Sequence, residues 1–504
     1  MNFFKRAFCS ITRKKGKSFI LFAVVFVLGN VIAGAIAIRQ ATINVEKEIK
    51  SKLGATATIT TDQKKITKYF SEHPDGKDAE KDLAPPKIEE IKKIGELSYV
   101  KYYDYSNSGY LTTNNLKSYQ SKDSDSGMMN VGKYNFTLKG VNYPKILDLE
   151  ENKIKLVSGR AFSDKDILSE SPEAVISQKV AELNNLAVGD SMTADAVIGS
   201  EEYNTTTGLP KETATKDIPI KIIGIYQSVK SDKQNSSKSS GNGSMDKYLE
   251  EDKINTLYLS NKAVVKIQET LNEFQQEKFP STEQGSLSAS VSDYYQSYFV
   301  LKSPEDVEAF KQEAAPYVKS KYYKVLASAD QYDSIAGPIK GMAKIAKYVI
   351  IVSVLATIFI LALVVLLFLR DRKHELGIYL SLGEKRWKVI GQIVIEVFVV
   401  SIVAMTLSVF SGNVLAKGVS DSLVQSQVST SEKDSSIEDT TEAYEFSQLS
   451  NVSLSQKDIA HSYKVSLSPV YIISYYLVGL LTLLVATILP LVYIVRLNPK
   501  KIMM

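Results

Sequence analysis

Apolar positions follow two rhythms along this chain. Four stretches stay apolar for about 20 residues, the length that crosses a hydrocarbon core. They are roughly Ser18–Ile38, Tyr348–Leu369, Val389–Phe410 and Val470–Val495. Between the first two, short apolar runs alternate with polar ones. Strand-like runs are Ala55–Thr61, Tyr134–Gly140, Ile218–Ile225, Thr256–Leu259 and Tyr298–Leu301; helix-like runs are Lys87–Ile94, Asn261–Phe274 and Pro304–Tyr317. Because the two kinds interleave, this insertion is expected to be α+β, as one domain or two small ones. The chain is therefore read as a membrane protein with four transmembrane α-helices in a one-plus-three layout. A large α+β extracytoplasmic domain separates the first helix from the second.

Helical periodicity outlasts the apolar runs. It continues past Arg39 through about Leu53, and it resumes after Pro338 within Ser334–Lys347, which predicts two stalks bracketing the insertion. In the first span Gly29, Ala33 and Ala37 recur every four residues. That spacing lets another helix approach closely, although small residues are common in any membrane helix. The polar break Ser228–Lys247 reads as a flexible loop, and Ser121–Gly127 as a hairpin tip. Residues 411–469 are rich in Ser, Thr, Asp and Glu, and their acidic core, Ser429–Glu445, is expected to be mobile. Tyrosines such as Tyr102, Tyr103, Tyr105 and Tyr110 are read as strand packing in preference to an aromatic ligand surface.

Charge then orients the spans. The net charge of +5, from 61 basic and 56 acidic residues, is nearly balanced, and the basic residues gather beside the apolar runs. The dense basic face that nucleic acid requires is missing, so nucleic acid is excluded as a partner. Residues 1–17 hold six Lys or Arg and no acid, which keeps the N-terminus cytoplasmic. The organisation that follows has a cytoplasmic amphipathic N-terminus (1–17) and a first span (18–38). Extracytoplasmic stalks and domain (39–347) lead to a second span (348–369) and a cytoplasmic segment (370–388). A third span (389–410), an extracytoplasmic acidic loop (411–469), a fourth span (470–495) and a cytoplasmic tail (496–504) complete it. Lys340, Lys344 and Lys347 run against the rule, which long translocated domains tolerate. A signal peptide would have an apolar core of about 7–15 residues, so a retained first helix is favoured.

Candidate chemistry is sparse. Cys9 stands alone, so no disulfide can form within one chain, and His73, His374 and His461 are too scattered to suggest a metal site. The run RKKGKS at 13–18 ends like a phosphate loop, but Ile11 occupies the position of its first glycine. No catalytic constellation is found, and the chain is not read as an enzyme. Glu396 lies about seven residues, or about 10 Å of helix, into the third span. An ionisable group there is a functional candidate, and a structural or coupling role is favoured over proton transport.

One basic, partly apolar island remains, Arg370–Lys388, reading RDRKHELGIYLSLGEKRWK. Leu376, Tyr379, Leu380, Gly383 and Trp387 fall at helical spacing and would form one apolar face. Held at a membrane, such a segment suits docking on a soluble partner. It resembles the signature of FtsX/MacB-type ABC transporter permeases, in Arg370 and Arg372, Glu375-Leu376-Gly377, Leu382-Gly383, Lys385-Arg386 and Val389-Ile390. Glu384 departs from that pattern, which has a small residue there, while Glu396 falls where the family often carries a glutamate. Phe4-Lys5-Arg6-Ala7 with Arg13–Lys17 looks like the family's basic start, and Arg496-Leu497-Asn498-Pro499 like its C-terminal motif. Ser158-Gly159-Arg160-Ala161-Phe162, Ala174–Ser177 and Val188-Gly189-Asp190 resemble the family's MacB-like extracytoplasmic domain.

The resemblance implies a type VII, mechanotransmission permease. Its expected partners are two copies of a separate ATPase carrying ATP and Mg, a second permease (identical or not) and the lipid bilayer. No cofactor or metal is expected on this chain. Glu375 and Arg386 would contact the ATPase, with Arg370 and Arg372 beside them. Leu376, Tyr379, Leu380 and Trp387 would pack in its groove, and Gly377 and Gly383 would permit close approach. Trp387 could instead anchor the island to lipid. The leading expectation is export or extraction of amphipathic compounds such as antimicrobial peptides. The alternative is FtsX-like signalling to a cell-wall hydrolase, and a peptide substrate and an accessory extracytoplasmic protein both stay open as partners.

Overall fold

The computed structural model describes residues 13, 15–74, 83–121, 131–200, 202–204, 208–229, 243–280, 294–371, 374–375, 378, 386–430, 446, 449 and 462–496. They fall into two compact units. One comprises Met1–Ile49, Tyr332–Ser435 and Leu454–Met504, the other Lys50–Gln331 and Ser436–Ser453.

The first unit is helical. Its long helices are α1 (Lys15–Leu53), α2 (Gly337–Asp371), α3 (Arg386–Thr430) and α4 (Pro469–Arg496). Each is long and apolar enough to cross a membrane. α1 continues to Leu53 and α2 starts at Gly337, so helix extends beyond the apolar runs where the periodicity says it should. α3 departs from the expectation: residues 411–430, read from sequence as loop, continue the helix. Phe410, Asn413 and Ala416 recur at intervals of three, and no proline intervenes between Phe410 and Thr430, so nothing in the chain interrupts helical hydrogen bonding. The acidic stretch 431–445 lies outside the described residues.

The second unit holds two sheets. The chain forms β1 (Thr56–Thr61), β2 (Val100–Ser106), β3 (Ser108–Thr113), β4 (Tyr134–Val141), β5 (Ile154–Gly159) and β6 (Glu173–Ser177). It continues with β7 (Ser191–Gly199), β8 (Thr213–Ser228), β9 (Thr256–Ser260), β10 (Gln296–Leu301) and β11 (Tyr323–Ala327). A four-stranded sheet runs β11-β1-β10-β2, wholly antiparallel. A seven-stranded mixed sheet runs β5-β8-β6-β9-β4-β3-β7, and the first half of β8 also pairs with β7. That extra pairing closes a hydrogen-bonded ring, which removes two free strand edges. Its interior is aliphatic: Leu138, Ile176, Ile220, Leu257, Leu259 and Val264 are fully buried. The helix Asn261–Lys278 covers it, started by the Ser260 hydroxyl accepting from the Ala263 amide at 3.1 Å. In the smaller sheet Phe299 and Phe310 pack with Ile91 and Ile94.

The polar break Ser228–Lys247 is not all loop, because a helix begins at Gly243 and runs to Ile254. A net run of Met, Asp, Lys, Tyr, Leu and Glu after Ser244 favours helix over the Ser/Gly-rich residues before it; residues 230–242 lie outside the described residues. Residues 122–130, which hold most of the expected hairpin tip, do as well, though β3 and β4 pair antiparallel on either side.

A single residue, Asn107, carries the chain from β2 in one sheet to β3 in the other. The crossing is fastened by polar groups of both sheets. Asn261 Oδ1 accepts from the Asn107 amide at 2.8 Å, and Asn261 Nδ2 donates to the Tyr105 carbonyl at 2.8 Å. The Gly140 amide donates to the Asn107 carbonyl at 2.8 Å. A side chain at 140 would collide with Asn261 Oδ1 and the Asn107 carbonyl, so this close approach requires glycine.

Candidate functional site

The island begins where α2 ends. Arg370 is the exposed penultimate residue of α2, and Glu375 is helical and exposed beyond it. Arg386 and Trp387 open α3. Arg372, Leu376, Gly377, Tyr379, Leu380 and Gly383 lie outside the described residues. The root of the island is attached to α1: Lys17 Nζ pairs with Asp371 Oδ2 at 2.6 Å and lies 5.9 Å from the Phe368 ring centroid. With both side chains partly exposed the pair contributes about 0–1 kcal/mol. Its value is positional, joining the start of α1 to the end of α2.

Three helices are then held together by small and polar residues. Gly29 of α1 lies under Ser408 of α3 and Tyr475 of α4, leaving no room for a larger residue. Ala33 is fully buried and faces Gly412 of α3, and Ala37 is buried as well. Asn30 Nδ2 donates to the Phe26 carbonyl at 2.7 Å, and the Ser411 hydroxyl donates to Asn30 Oδ1 at 2.6 Å. The Ser408 hydroxyl lies 3.0 Å from the Phe26 carbonyl, and the Tyr471 hydroxyl donates to the Val409 carbonyl at 3.2 Å. Each hydrogen bond between apolar helices is worth about 0.6–2 kcal/mol. Glu396 lies half-buried in α3. The Asn30–Ser408–Ser411 set was not singled out from sequence; an amide inside the first apolar run was its available signal.

The second unit uses its signature residues to build turns. Gly159 adopts φ +77°, and a side chain there would strike the Ile223 carbonyl. Arg160 Nη1 donates to Asp166 Oδ2 at 2.5 Å. Asp166 also accepts from the Ser163 amide; burial opposes ionisation, yet these partners hold its carboxyl down at about 2. Ala174–Ser177 lie in β6, a central strand buried on both faces, and Gly189 takes φ +98° while Asp190 caps its turn through the Ala187 amide. These residues shape the turns and the central strand of the domain.

Two buried carboxylates mark the joint between the sheets. Asp104 Oδ1 alone accepts three backbone amides, from Tyr105 at 2.8 Å, Asn142 at 2.8 Å and Tyr143 at 3.0 Å. Burial still pushes its carboxyl up to about 7 against those donors and Lys139. Asp148 accepts from Lys139 Nζ at 2.6 Å and from the Tyr258 hydroxyl at 2.8 Å, with Lys153 Nζ at 3.9 Å. Burial would raise its carboxyl, but Lys139, then Lys153, hold it well below the usual range. Among the described residues no group of His, Cys, Asp or Glu could hold a metal ion.

Residues 348–499 match the family described as FtsX-like permease C-terminal, and residues 19–317 match the MacB-like periplasmic core domain. A relative in Bacillus subtilis (strain 168), named as an uncharacterized ABC transporter permease YclI, is 25% identical over 435 residues, covering 82% of this chain and 80% of its own. Among solved structures, the extracellular domain of the noncanonic ABC-type transporter YknZ from Gram-positive bacteria matches at 16% identity and a TM-score of 0.27, over 54% of this chain and 99% of its own. The periplasmic region of MacB from Actinobacillus actinomycetemcomitans matches at 14% identity and a TM-score of 0.29, over 55% and 91%. The match over residues 19–317 takes in more than half of the chain, and together with the C-terminal match it makes the protein a member of the FtsX-like permeases that carry a MacB-like periplasmic core domain.

Proposed function

We propose that the chain is the permease subunit of an ABC transporter, coupling ATP hydrolysis on a separate ATPase to motion of its outer unit. It is a multi-pass cell-membrane protein with both termini cytoplasmic, paired with a second permease and two ATPase copies that carry ATP and Mg. The observation that supports this best is helical continuity. At 39 residues, α1 rises about 58 Å, nearly twice the ~30 Å of a hydrocarbon core. α3, at 45 residues, rises about 68 Å. Helices longer than the bilayer, α1 beginning beside the Lys17–Asp371 pair and α3 at the far end of the island, can carry displacement as rods. The hydrogen-bonded crossing at Asn107 and Asn261 couples the two sheets of the outer unit.

The work delivered is export or extraction of amphipathic compounds such as antimicrobial peptides. The size of the outer unit favours this over signalling to a wall hydrolase. The test is reconstitution with the partner ATPase in lipid nanodiscs. Glu375→Lys should abolish stimulation of ATP turnover while membrane insertion stays intact. Undiminished stimulation in that variant would remove the island from the coupling path.

A further inference from the structure

The connection between α3 and α4 contributes two residues to the outer unit. Phe446 and Leu449 are buried against Leu326 of β11, with Tyr298 of β10 packed alongside. The Leu449 carbonyl accepts from Thr56 Oγ1 at 2.8 Å, from the Tyr298 hydroxyl at 3.2 Å and from Lys153 Nζ at 3.5 Å. Lys153 Nζ in turn donates to the Tyr298 hydroxyl at 2.5 Å and lies 3.9 Å from Asp148. Thr56 and Tyr298 belong to the four-stranded sheet, whereas Lys153 immediately precedes β5 of the seven-stranded one. One carbonyl is therefore held from both sheets, at the joint where the buried Asp148 cluster lies.

We propose that this surface, formed by Thr56, Tyr298, Leu326 and Lys153, is a docking site occupied by the chain's own Phe446 and Leu449. The α3–α4 connection then acts as a tether onto the outer unit. Two side chains and one carbonyl make a small contact, too small to recruit a free partner. Within one chain the demand is lower, because a covalently attached segment is present at an effective concentration on the order of millimolar. Connectors of 15 residues from Thr430 to Phe446 and 19 from Leu449 to Pro469 can each span tens of ångströms at about 3.3–3.6 Å per residue. The chain thus passes between the two units after Ile49, after Gln331 and on either side of the segment holding Phe446 and Leu449. The tether does not depend on what drives the helices.

The test is native-state hydrogen exchange on the purified full chain. Fragments spanning 446–449 should exchange at least tenfold more slowly in the wild type than in Leu449→Asp. The paired variant Thr56→Val with Tyr298→Phe, which keeps side-chain volume but removes two donors, should fall between them. Amides of β10 and β11 should gain exchange in Leu449→Asp while those of β7 do not, which separates undocking from unfolding. Exchange at the unprotected rate in the wild type, or protection untouched by both variants, would overturn the docking. Protection that rises with protein concentration would assign the site to a second copy and overturn the tether.

Discussion

Asp104→Asn tests how the joint between the two sheets tolerates charge. In the native chain one carboxylate oxygen takes three backbone amides, and the amide oxygen of asparagine can keep those bonds without an ionisable proton. Burial raises the Asp104 carboxyl from 3.8 to about 7. Between those values the folded state holds a proton that the unfolded state has lost, so stability falls as pH rises through that window. At about 1.36 kcal/mol per unit, the shift amounts to about 4 kcal/mol of destabilisation above pH 7. Asp104→Asn should therefore match the wild type near pH 4 and exceed it by a few kcal/mol near pH 8. Opening free energies of the Tyr105, Asn142 and Tyr143 amides, followed by hydrogen exchange in the full chain, report on this directly. Taking the difference between variant and wild type cancels the histidines and other groups that titrate in the same range. A difference that stays constant across pH would refute the argument that burial outweighs the three donors.

Asp148→Asn should act in the opposite direction. It leaves Lys139 and Lys153 without their carboxylate and should cost about 3–5 kcal/mol at neutral pH, measured by denaturation of the outer unit. Because the wild-type carboxyl is held low, its stabilisation is present above the unfolded value near 3.9 and is lost as pH falls below it, so the two proteins should converge in acid. In the helical unit, a side chain at 412 would sit 2.7 Å from Ala33 Cβ and 3.2 Å from the Asn30 carbonyl, neither of which can swing away. Gly412→Val should therefore lower detergent thermostability by the equivalent of about 1–3 kcal/mol; an unchanged midpoint would show that α1 and α3 separate freely there.

Uninterrupted apolar runs made the four long helices legible, because in hydrocarbon only internally hydrogen-bonded backbone is tolerated. Strands such as β1, β4 and β9 were legible from their β-branched and aromatic residues, and β8 in part. In β2 the tyrosines read as strand packing, but nothing in VKYYDYS marked Asp104 as buried. Asp104 belongs there only because amides more than 35 residues away at Asn142 and Tyr143 point at it. Likewise 411–430 read as loop from its composition, and became helix by continuing α3. Local sequence alone determined which segments are apolar throughout, which are mixed, and the basic island between two spans, since each follows from residue type and spacing. Closure of the seven-stranded sheet, the burial of Asp104 and Asp148, and the seating of Phe446 and Leu449 on distant strands were decided by tertiary structure. Each depends on groups from separate segments of the chain, whose stabilising contacts no local pattern records.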